Sequence, residues 1–294
     1  MSDRVVVVAG ASSGIGLATA LRLAGDGARL VLSARRSGAL DAAADACRSA
    51  GAADVRCVPG DLLLQDDVER LLAETLAAHG RVDAVVHTAT VMAYGTIEAV
   101  PEDVFRTVVD TAIHGTANVG RVFVPQFRTQ GYGTLVIVNS LLGSVTVPNM
   151  GAYATAKWGQ RAVARTLQQE LQHQRKIHVC IVSPGSTNTP IYRQAANYTG
   201  KAARPPVPVL QPERTATSIV GLLDHPRKHV SVPVGPTNPV IVSGFRLLPF
   251  VYDAMVGPAF KLVALTRTKE APNTGNVHDP VAGKERLHGL WPDT

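Results

Sequence analysis

The sequence has few of the residues that build disulfide frameworks or metal centres. Only three of its 294 residues are cysteine (Cys47, Cys57 and Cys180), and no two of them have the CxxC spacing of redox or zinc motifs. The nine histidines suggest no metal site either. Unpaired thiols are typical of a reducing compartment, so we expect a cytoplasmic protein without a bound metal.

Long apolar runs and long basic runs are also missing. No stretch reaches the roughly 18 consecutive apolar residues that a membrane span needs, and the apolar run from Val5 to Gly10 is shorter than a signal peptide. The net charge is +6 and the aromatic content is 5%, and basic residues occur in short groups such as Arg35–Arg36. This pattern argues against a nucleic-acid partner.

The sequence does contain an alternation of strand and helix patterns. Val- and Ile-rich runs such as Arg4–Ala9, Ala28–Ala34 and Gly133–Ser140 alternate with helical segments. Apolar strands that are separated by helices predict a parallel sheet covered on both faces. We therefore predict a single α/β domain over residues 1–235.

The pattern changes in the last third of the chain. The Pro-rich stretch from Lys201 to Pro212 is predicted to be a loop. Residues 236–294 are predicted to form an extension packed on the same domain, with an apolar helical segment from Val240 to Leu265 and a polar, loop-like tail from Thr266. The apolar segment is interpreted as a cap over a pocket or a subunit contact, and a membrane-surface helix is the less favoured alternative.

A glycine-rich stretch, GASSGIG, follows the first predicted strand and opens a helix. Its glycines Gly10, Gly14 and Gly16 permit a tight turn and a close approach of backbone N–H groups to a pyrophosphate, at a helix N-terminus that favours anions. The spacing differs from the general G-x-G-x-x-G fingerprint. A plain strand–helix turn is the alternative, but the position after a strand and before a helix favours dinucleotide binding.

A second motif places Tyr153 and Lys157 four residues apart within GAYATAKWGQ. On a helix both side chains lie on the same face, and an ammonium near a phenol favours the phenolate. Ser140 ends the predicted strand Gly133–Ser140, at the edge where open α/β sheets bind ligands. The three side chains are candidates for acid–base chemistry.

These motifs, in this order and spacing, together resemble the short-chain dehydrogenase/reductase family. The stretch SPG…T (Ser183, Pro184, Gly185 and Thr189) matches as well, and the resemblance covers roughly residues 4–232. It implies a Rossmann-type doubly wound parallel sheet of about seven strands with a C-terminal helical extension. It also implies a homodimer or homotetramer formed through the helices within residues 101–129 and 151–173.

The resemblance further implies roles for the catalytic residues. Tyr153 would be the general acid/base, and Lys157 would lower the pKa of Tyr153 and hold the nicotinamide ribose. Ser140 would hydrogen-bond the substrate oxygen. The reaction would be hydride transfer between a nicotinamide cofactor and a carbonyl compound or secondary alcohol.

The cofactor-binding residues implied by the resemblance follow the ends of the strands. They are Gly10, Ser12, Ser13, Gly14, Ile15, Gly16, Arg35, Arg36, Asp61, Leu62, Ala89, Tyr153, Lys157, Pro184, Gly185, Thr187 and Thr189. An acidic residue after the second strand would favour NAD, but this chain has Arg35 and Arg36 there. Because a guanidinium suits a 2′-phosphate, we expect NADP(H), with Arg35 the stronger candidate.

Two positions depart from the family pattern. The stretch HTAT (residues 87–90) stands where the family usually has N-N-A-G, and Ala112 stands where an asparagine normally fixes a water of a proton relay. We expect a working Ser-Tyr-Lys triad with an altered relay. His114, two residues on, faces another direction and is interpreted as a core or subunit-contact residue. The departures support one alternative, a catalytically impaired dinucleotide-binding sensor or scaffold.

The substrate is expected to be an apolar small molecule. Residues 186–211, which follow the predicted strand Ile177–Gly185, should lie over the nicotinamide as a lid. Apolar residues are expected to surround the pocket, and simple packing is their alternative role. Because Arg193 is near, a substrate with a carboxylate stays an alternative. These pocket residues are Val91, Met92, Leu141, Leu142, Val145, Val147, Ile191 and Tyr192.

Overall fold

The structure is a computed structural model that describes residues 3–226, 231–281, 283, 285–289 and 291. The strands, in chain order, are β1 (Val5–Ala9), β2 (Arg29–Ser33), β3 (Asp54–Cys57), β4 (Ala84–His87), β5 (Ala93–Tyr94), β6 (Gly133–Val138), β7 (Ile177–Pro184), β8 (Ala196–Asn197), β9 (Lys201–Ala203), β10 (Ser231–Val234) and β11 (Leu265–Lys269). The helices are α1 (Gly14–Gly25), α2 (Ser37–Ser49), α3 (Gln65–His79), α4 (Glu102–Gln130), α5 (Gly151–Glu170), α6 (Ile191–Gln194), α7 (Pro212–Asp224), α8 (Asn238–Leu247) and α9 (Pro249–Ala264).

Seven strands form the central sheet in the order β10-β7-β6-β4-β1-β2-β3. All neighbouring pairs are parallel, with Val7 opposite Val31 on one side and Val85 on the other. The predicted doubly wound α/β fold is therefore confirmed. Because the strand order reverses between β1 and β4, their carboxyl ends open a crevice, the usual ligand site of such sheets.

The apolar strands feed two separate cores because successive side chains point to opposite faces. Val6 and Val8 of β1 pack on the face covered by α1, α2 and α7, where Leu23 is buried. Val7 packs on the other face, against α3, α4 and α5, where Phe123 is buried. Burial on both faces explains why these strands lack polar alternation.

The prediction of loops in the last third of the chain was partly wrong. Lys201–Ala203 forms β9, which pairs antiparallel with β11, and β11 lies in the segment predicted to be a polar, loop-like tail. Each strand is short, and its partner is some sixty positions away in the sequence, so no local pattern reveals the pairing. The short strands β5 and β8 also pair, in parallel.

The predicted helical extension is present as α8 and α9, each with proline in its first turn. Proline is well accommodated there because the first-turn N–H groups have no intrahelical partner. In the described part of the chain, none of the helices has the length and apolar character to cross a bilayer.

Candidate active site

A cavity of about 740 Å³ lies at the carboxyl ends of the sheet strands. Every residue predicted to be catalytic or cofactor-binding lines it, from Gly10 after β1 to Thr189 after β7. Its volume lies within the range of roughly 300–1,000 Å³ that is common for ligand pockets. The fold thus brings together residues that are up to 179 positions apart.

The glycine-rich loop is packed too closely for side chains at two positions. Gly10 has φ +94°, and a Cβ there would lie 2.5 Å from the Thr88 hydroxyl. A Cβ on Gly16 would lie 2.0 Å from the Gly10 carbonyl oxygen. Glycine therefore lets α1 begin directly against the turn, at the cavity that the loop lines.

Thr88, which the sequence reasoning passed over, fastens this loop to β4. Its hydroxyl lies 3.0 Å from both the Ala9 and the Gly10 carbonyl oxygens. The only signal in the sequence was a hydroxyl residue directly after a buried strand, within HTAT. That stretch therefore holds the loop through a side chain as well as through backbone.

Ser140, Tyr153 and Lys157 meet at the edge where β6 ends and α5 begins. Ser140 lies two residues after the end of β6 at Val138, and its Oγ accepts a hydrogen bond from the Leu142 amide at 3.1 Å. The Lys157 amine lies 5.7 Å from the centre of the Tyr153 ring. All three side chains are buried.

Burial dominates the protonation of this group. Burial raises the pKa of Tyr153 above its ordinary value, and the nearby Tyr192 adds to the rise, whereas a hydrogen bond from Ser140 lowers it. Burial also lowers the pKa of the Lys157 amine from 10.5 to about 7. Both shifts favour the neutral forms, as removal of water predicts.

A chain of buried polar residues, which the sequence reasoning also missed, lies behind Lys157. The Lys157 amine donates to the Gln160 side-chain oxygen at 2.9 Å and to the Val138 carbonyl at 3.2 Å. Gln160 Nε2 donates to the Thr116 hydroxyl at 3.0 Å, and that hydroxyl lies 3.0 Å from His87 Nε2. The spacing of Gln160, one helical turn after Lys157, could have revealed the first link.

Ala112, at the position where the resemblance implies a relay asparagine, is fully buried and offers no polar group. His114 is 67% exposed at its side chain and lies 3.6 Å from Asp110. It is therefore not a core residue, and that alternative was wrong. The physical reason is that Ala112 occupies the inward face of α4, so His114 points to solvent.

The two arginines after β2 lie at the cavity but already have partners from the C-terminal segment. Arg35 donates to the carbonyl oxygens of Asn276, Val277 and His278 at 2.7, 3.3 and 3.0 Å. Arg36 forms a 2.8 Å ion pair with Glu285. The segment predicted to be a polar tail therefore covers this end of the cavity.

The same segment reaches the glycine-rich loop and the loop after β7. The Gly14 amide donates to the Arg286 carbonyl at 2.9 Å, and Asn188 donates to the Trp291 carbonyl at 3.1 Å. Arg193, considered as a carboxylate partner, lies 4.9 Å from the Trp291 ring centre. The carbonyl oxygens of the segment thus accept hydrogen bonds from groups that could also donate to the phosphate oxygens of a cofactor.

Asp61 and Leu62 line the cavity beyond the arginines. The Asp61 carboxylate accepts from the Leu63 amide at 3.0 Å, and the Leu62 carbonyl accepts from Asn118 at 2.9 Å. These contacts fix the turn after β3. The Asp61 carboxylate also opposes the effect of burial, which lowers the pKa of Arg35.

The other end of the cavity is apolar. All of the predicted pocket residues line it, together with side chains from the two C-terminal helices, among them Tyr252, Val256 and Phe260 of α9. Phe260 packs in one buried cluster with Tyr153 and Met92. The helical extension therefore forms a wall of the cavity beside the candidate catalytic tyrosine.

Sequence comparison finds related proteins over most of the chain. The family model described as short chain dehydrogenase matches residues 4–198. The uncharacterized oxidoreductase YxnA of Bacillus subtilis is 30% identical over 235 residues, which cover 79% of this chain and 66% of that protein. The uncharacterized oxidoreductase Lmo0432 of Listeria monocytogenes is 29% identical over 245 residues, with 81% and 98% coverage.

Solved structures show the same architecture. A short-chain dehydrogenase from Streptomyces avermitilis superposes with a TM-score of 0.72 at 26% identity, covering 86% of this chain and 95% of its own. An alcohol dehydrogenase from Thermococcus sibiricus in complex with 5-hydroxy-NADP has a TM-score of 0.67 at 27% identity, with 79% and 94% coverage. A Burkholderia phymatum protein in complex with NAD, at 23% identity, a TM-score of 0.74 and 86% and 95% coverage, shares the fold.

Proposed function

Since this chain belongs to the short-chain dehydrogenase/reductase family and is an oxidoreductase, we propose that it transfers a hydride between NADP(H) and an apolar carbonyl compound or secondary alcohol. The observation that carries the proposal is the meeting of Ser140, Tyr153 and Lys157 inside one cavity with the glycine-rich loop. A nicotinamide supplies or accepts the hydride when it is bound.

The side chains of this chain would handle the proton. In the reducing direction Tyr153 donates its phenolic proton to the carbonyl oxygen, and Ser140 donates a hydrogen bond to the same oxygen. Lys157, as an ammonium, stabilises the resulting phenolate. Burial of Tyr153 and Lys157 keeps water away from the group and strengthens these interactions.

The proposal of NADP(H) over NAD rests on Arg35 and Arg36. No carboxylate follows β2 directly, and a guanidinium can meet a 2′-phosphate with two parallel hydrogen bonds. A 2′-phosphate at this place would have to displace the carbonyl and carboxylate groups of the C-terminal segment from the two arginines, or bind the arginines together with them. The apolar half of the cavity supports an apolar substrate.

The decisive experiment compares the wild type with Tyr153→Phe. Purified protein is mixed with NADPH and a panel of ketones and quinones, and NADPH absorbance is followed. We expect NADPH consumption by the wild type and none by Tyr153→Phe, with equal NADPH binding by calorimetry. Unchanged turnover in the variant would refute the role given to Tyr153.

The alternative is a dinucleotide-binding protein without turnover. It is favoured by Ala112, which is fully buried and offers no polar group where the resemblance implies a relay asparagine, and by the HTAT stretch in place of N-N-A-G. The same experiment separates the two functions, because a sensor would bind NADPH without consuming it with any compound. The homodimer or homotetramer through α4 and α5 stays a prediction that light scattering can test.

A further inference from the structure

The Lys157 amine lies almost entirely within the protein. It is 1% exposed, and no carboxylate in the described part of the chain forms an ion pair with it. The titratable groups that face it are Tyr153 on its own helix and His87 on β4. What fixes its position must therefore be neutral hydrogen-bond acceptors.

The orientation of Gln160 follows from the chemistry of its neighbours. An ammonium has three donors and no acceptor, so the side-chain oxygen of Gln160 must face Lys157. Asn139 Nδ2 donates to that same oxygen at 3.1 Å, which fixes the amide in the same orientation. The Gln160 amide nitrogen is left to donate to Thr116, as observed.

The next two links follow in the same direction. Thr116 Oγ1 accepts from Gln160, so its own proton can go to His87 Nε2 at 3.0 Å. Burial, and secondly the charge of Lys157, lowers the pKa of His87 to about 3, which leaves a neutral ring able to accept. With His87 as the Nδ1–H tautomer, the chain runs from donor to acceptor at every link from Lys157 to β4, and the buried Nδ1 has no partner among the described residues.

The position of Thr116 explains why the hydrogen-bond chain fits a protein that has alanine at position 112. Thr116 lies one helical turn after Ala112 on the same face of α4, and it is fully buried. We propose that Gln160, Thr116 and His87 are positioning residues that hold the Lys157 amine against Tyr153 through one continuous buried hydrogen-bond chain. The inference rests on the proposed function, because it assigns these residues to the same site.

Besides positioning the Lys157 amine, the hydrogen-bond chain affects its pKa. An acceptor oxygen at 2.9 Å favours the charged amine, whereas burial opposes it. Removing the Gln160 oxygen should therefore lower the pKa of Lys157 further. A purely structural glutamine would change stability but leave that pKa in place.

The experiment titrates the Lys157 side chain in the cofactor-free protein by NMR with isotope-labelled lysine. The Lys157 signal is assigned by its loss in Lys157→Met. Gln160→Leu should lower the pKa of Lys157 by about one unit or more, because the charged amine loses a hydrogen-bond acceptor. Thr116→Val should lower it by less, and Thr116→Ser should restore it.

Two matched controls come from the same protein. Gln168 is a second buried glutamine on α5, which donates to the Val179 carbonyl at 2.8 Å. Thr75 is a second fully buried threonine, which donates to the Leu71 carbonyl at 2.7 Å. Gln168→Leu and Thr75→Val should leave the Lys157 titration unchanged.

An unchanged Lys157 pKa in Gln160→Leu, or an equal shift in Gln168→Leu, overturns the proposal. A shift in Gln160→Leu without any in Thr116→Val overturns the continuous chain. Should Gln160→Leu fail to fold, Thr116→Val and Thr116→Ser decide alone. The titration needs neither cofactor nor substrate, so its failure is distinct from absence of NADPH consumption, which would refute the proposed function.

Discussion

Replacing the buried Lys157 with methionine should change how the stability of the cofactor-free protein depends on pH. The native amine has its pKa lowered from 10.5 to about 7 by burial. In the unfolded chain the same amine keeps its proton to about pH 10. Between these two values the native state binds fewer protons than the unfolded state, so the free energy of unfolding rises with pH.

The magnitude follows from the two pKa values. Each pH unit inside the window contributes about 1.4 kcal/mol. Allowing for half-titration of the native amine near pH 7, the gain between pH 7 and pH 9 is about 2 kcal/mol. Lys157→Met lacks this contribution. The unfolding free energy of the wild type minus that of the variant should therefore be about 2 kcal/mol larger at pH 9 than at pH 7.

The assay is urea unfolding of both proteins at several pH values across this window. Lys261→Met, at an exposed position of α9, serves as the control. His87 does not titrate in the native state of either protein in this window, because burial, the larger cause of its low pKa of about 3, is retained when Lys157 is replaced. The thiol of Cys47, raised to about 11, cancels in the difference. A difference between wild type and Lys157→Met that stays constant with pH would refute the reasoning.

Three further substitutions test the cofactor site by calorimetric titration with NADPH and NADH. Arg35→Gln should weaken NADPH binding about tenfold or more and spare NADH, because only NADPH has the 2′-phosphate; equal losses would refute that role. Glu285→Gln should tighten NADPH binding by about two- to fivefold, because Arg36 loses a competing, partly exposed ion pair; weaker binding would place Glu285 in the site. Gly16→Ala should abolish binding of both cofactors, because its Cβ would meet the loop backbone, whereas Gly38→Ala, with open space around it, should bind normally; normal binding by Gly16→Ala would contradict the close packing.

Much of the fold and of the candidate site could be predicted from local sequence patterns. The Val-rich run of β1, the glycines that follow it and the spacing of Tyr153 and Lys157 all operate over a few residues, where backbone geometry decides the outcome. The parallel sheet followed from the lack of polar alternation in its strands. Once such a sheet is formed, residues at the strand ends must meet at one edge, as Ser140 and the glycine-rich loop do.

Other features depended on contacts between distant segments. The pairing of β9 with β11 and the carbonyl partners of Arg35 have no local signature. The acceptors around Lys157 come from α5 and β6, and the hydrogen-bond chain behind them continues to α4 and β4.

The amino-acid sequence by itself determined the order of the central-sheet strands and their helices, the glycine turn and the candidate acid–base residues, because each depends on neighbours along the chain. Only the tertiary structure decided which polar groups hold Lys157 and what covers the arginines after β2. The reason is that burial and hydrogen bonding depend on which distant segments pack together, and these determine the protonation of a buried amine.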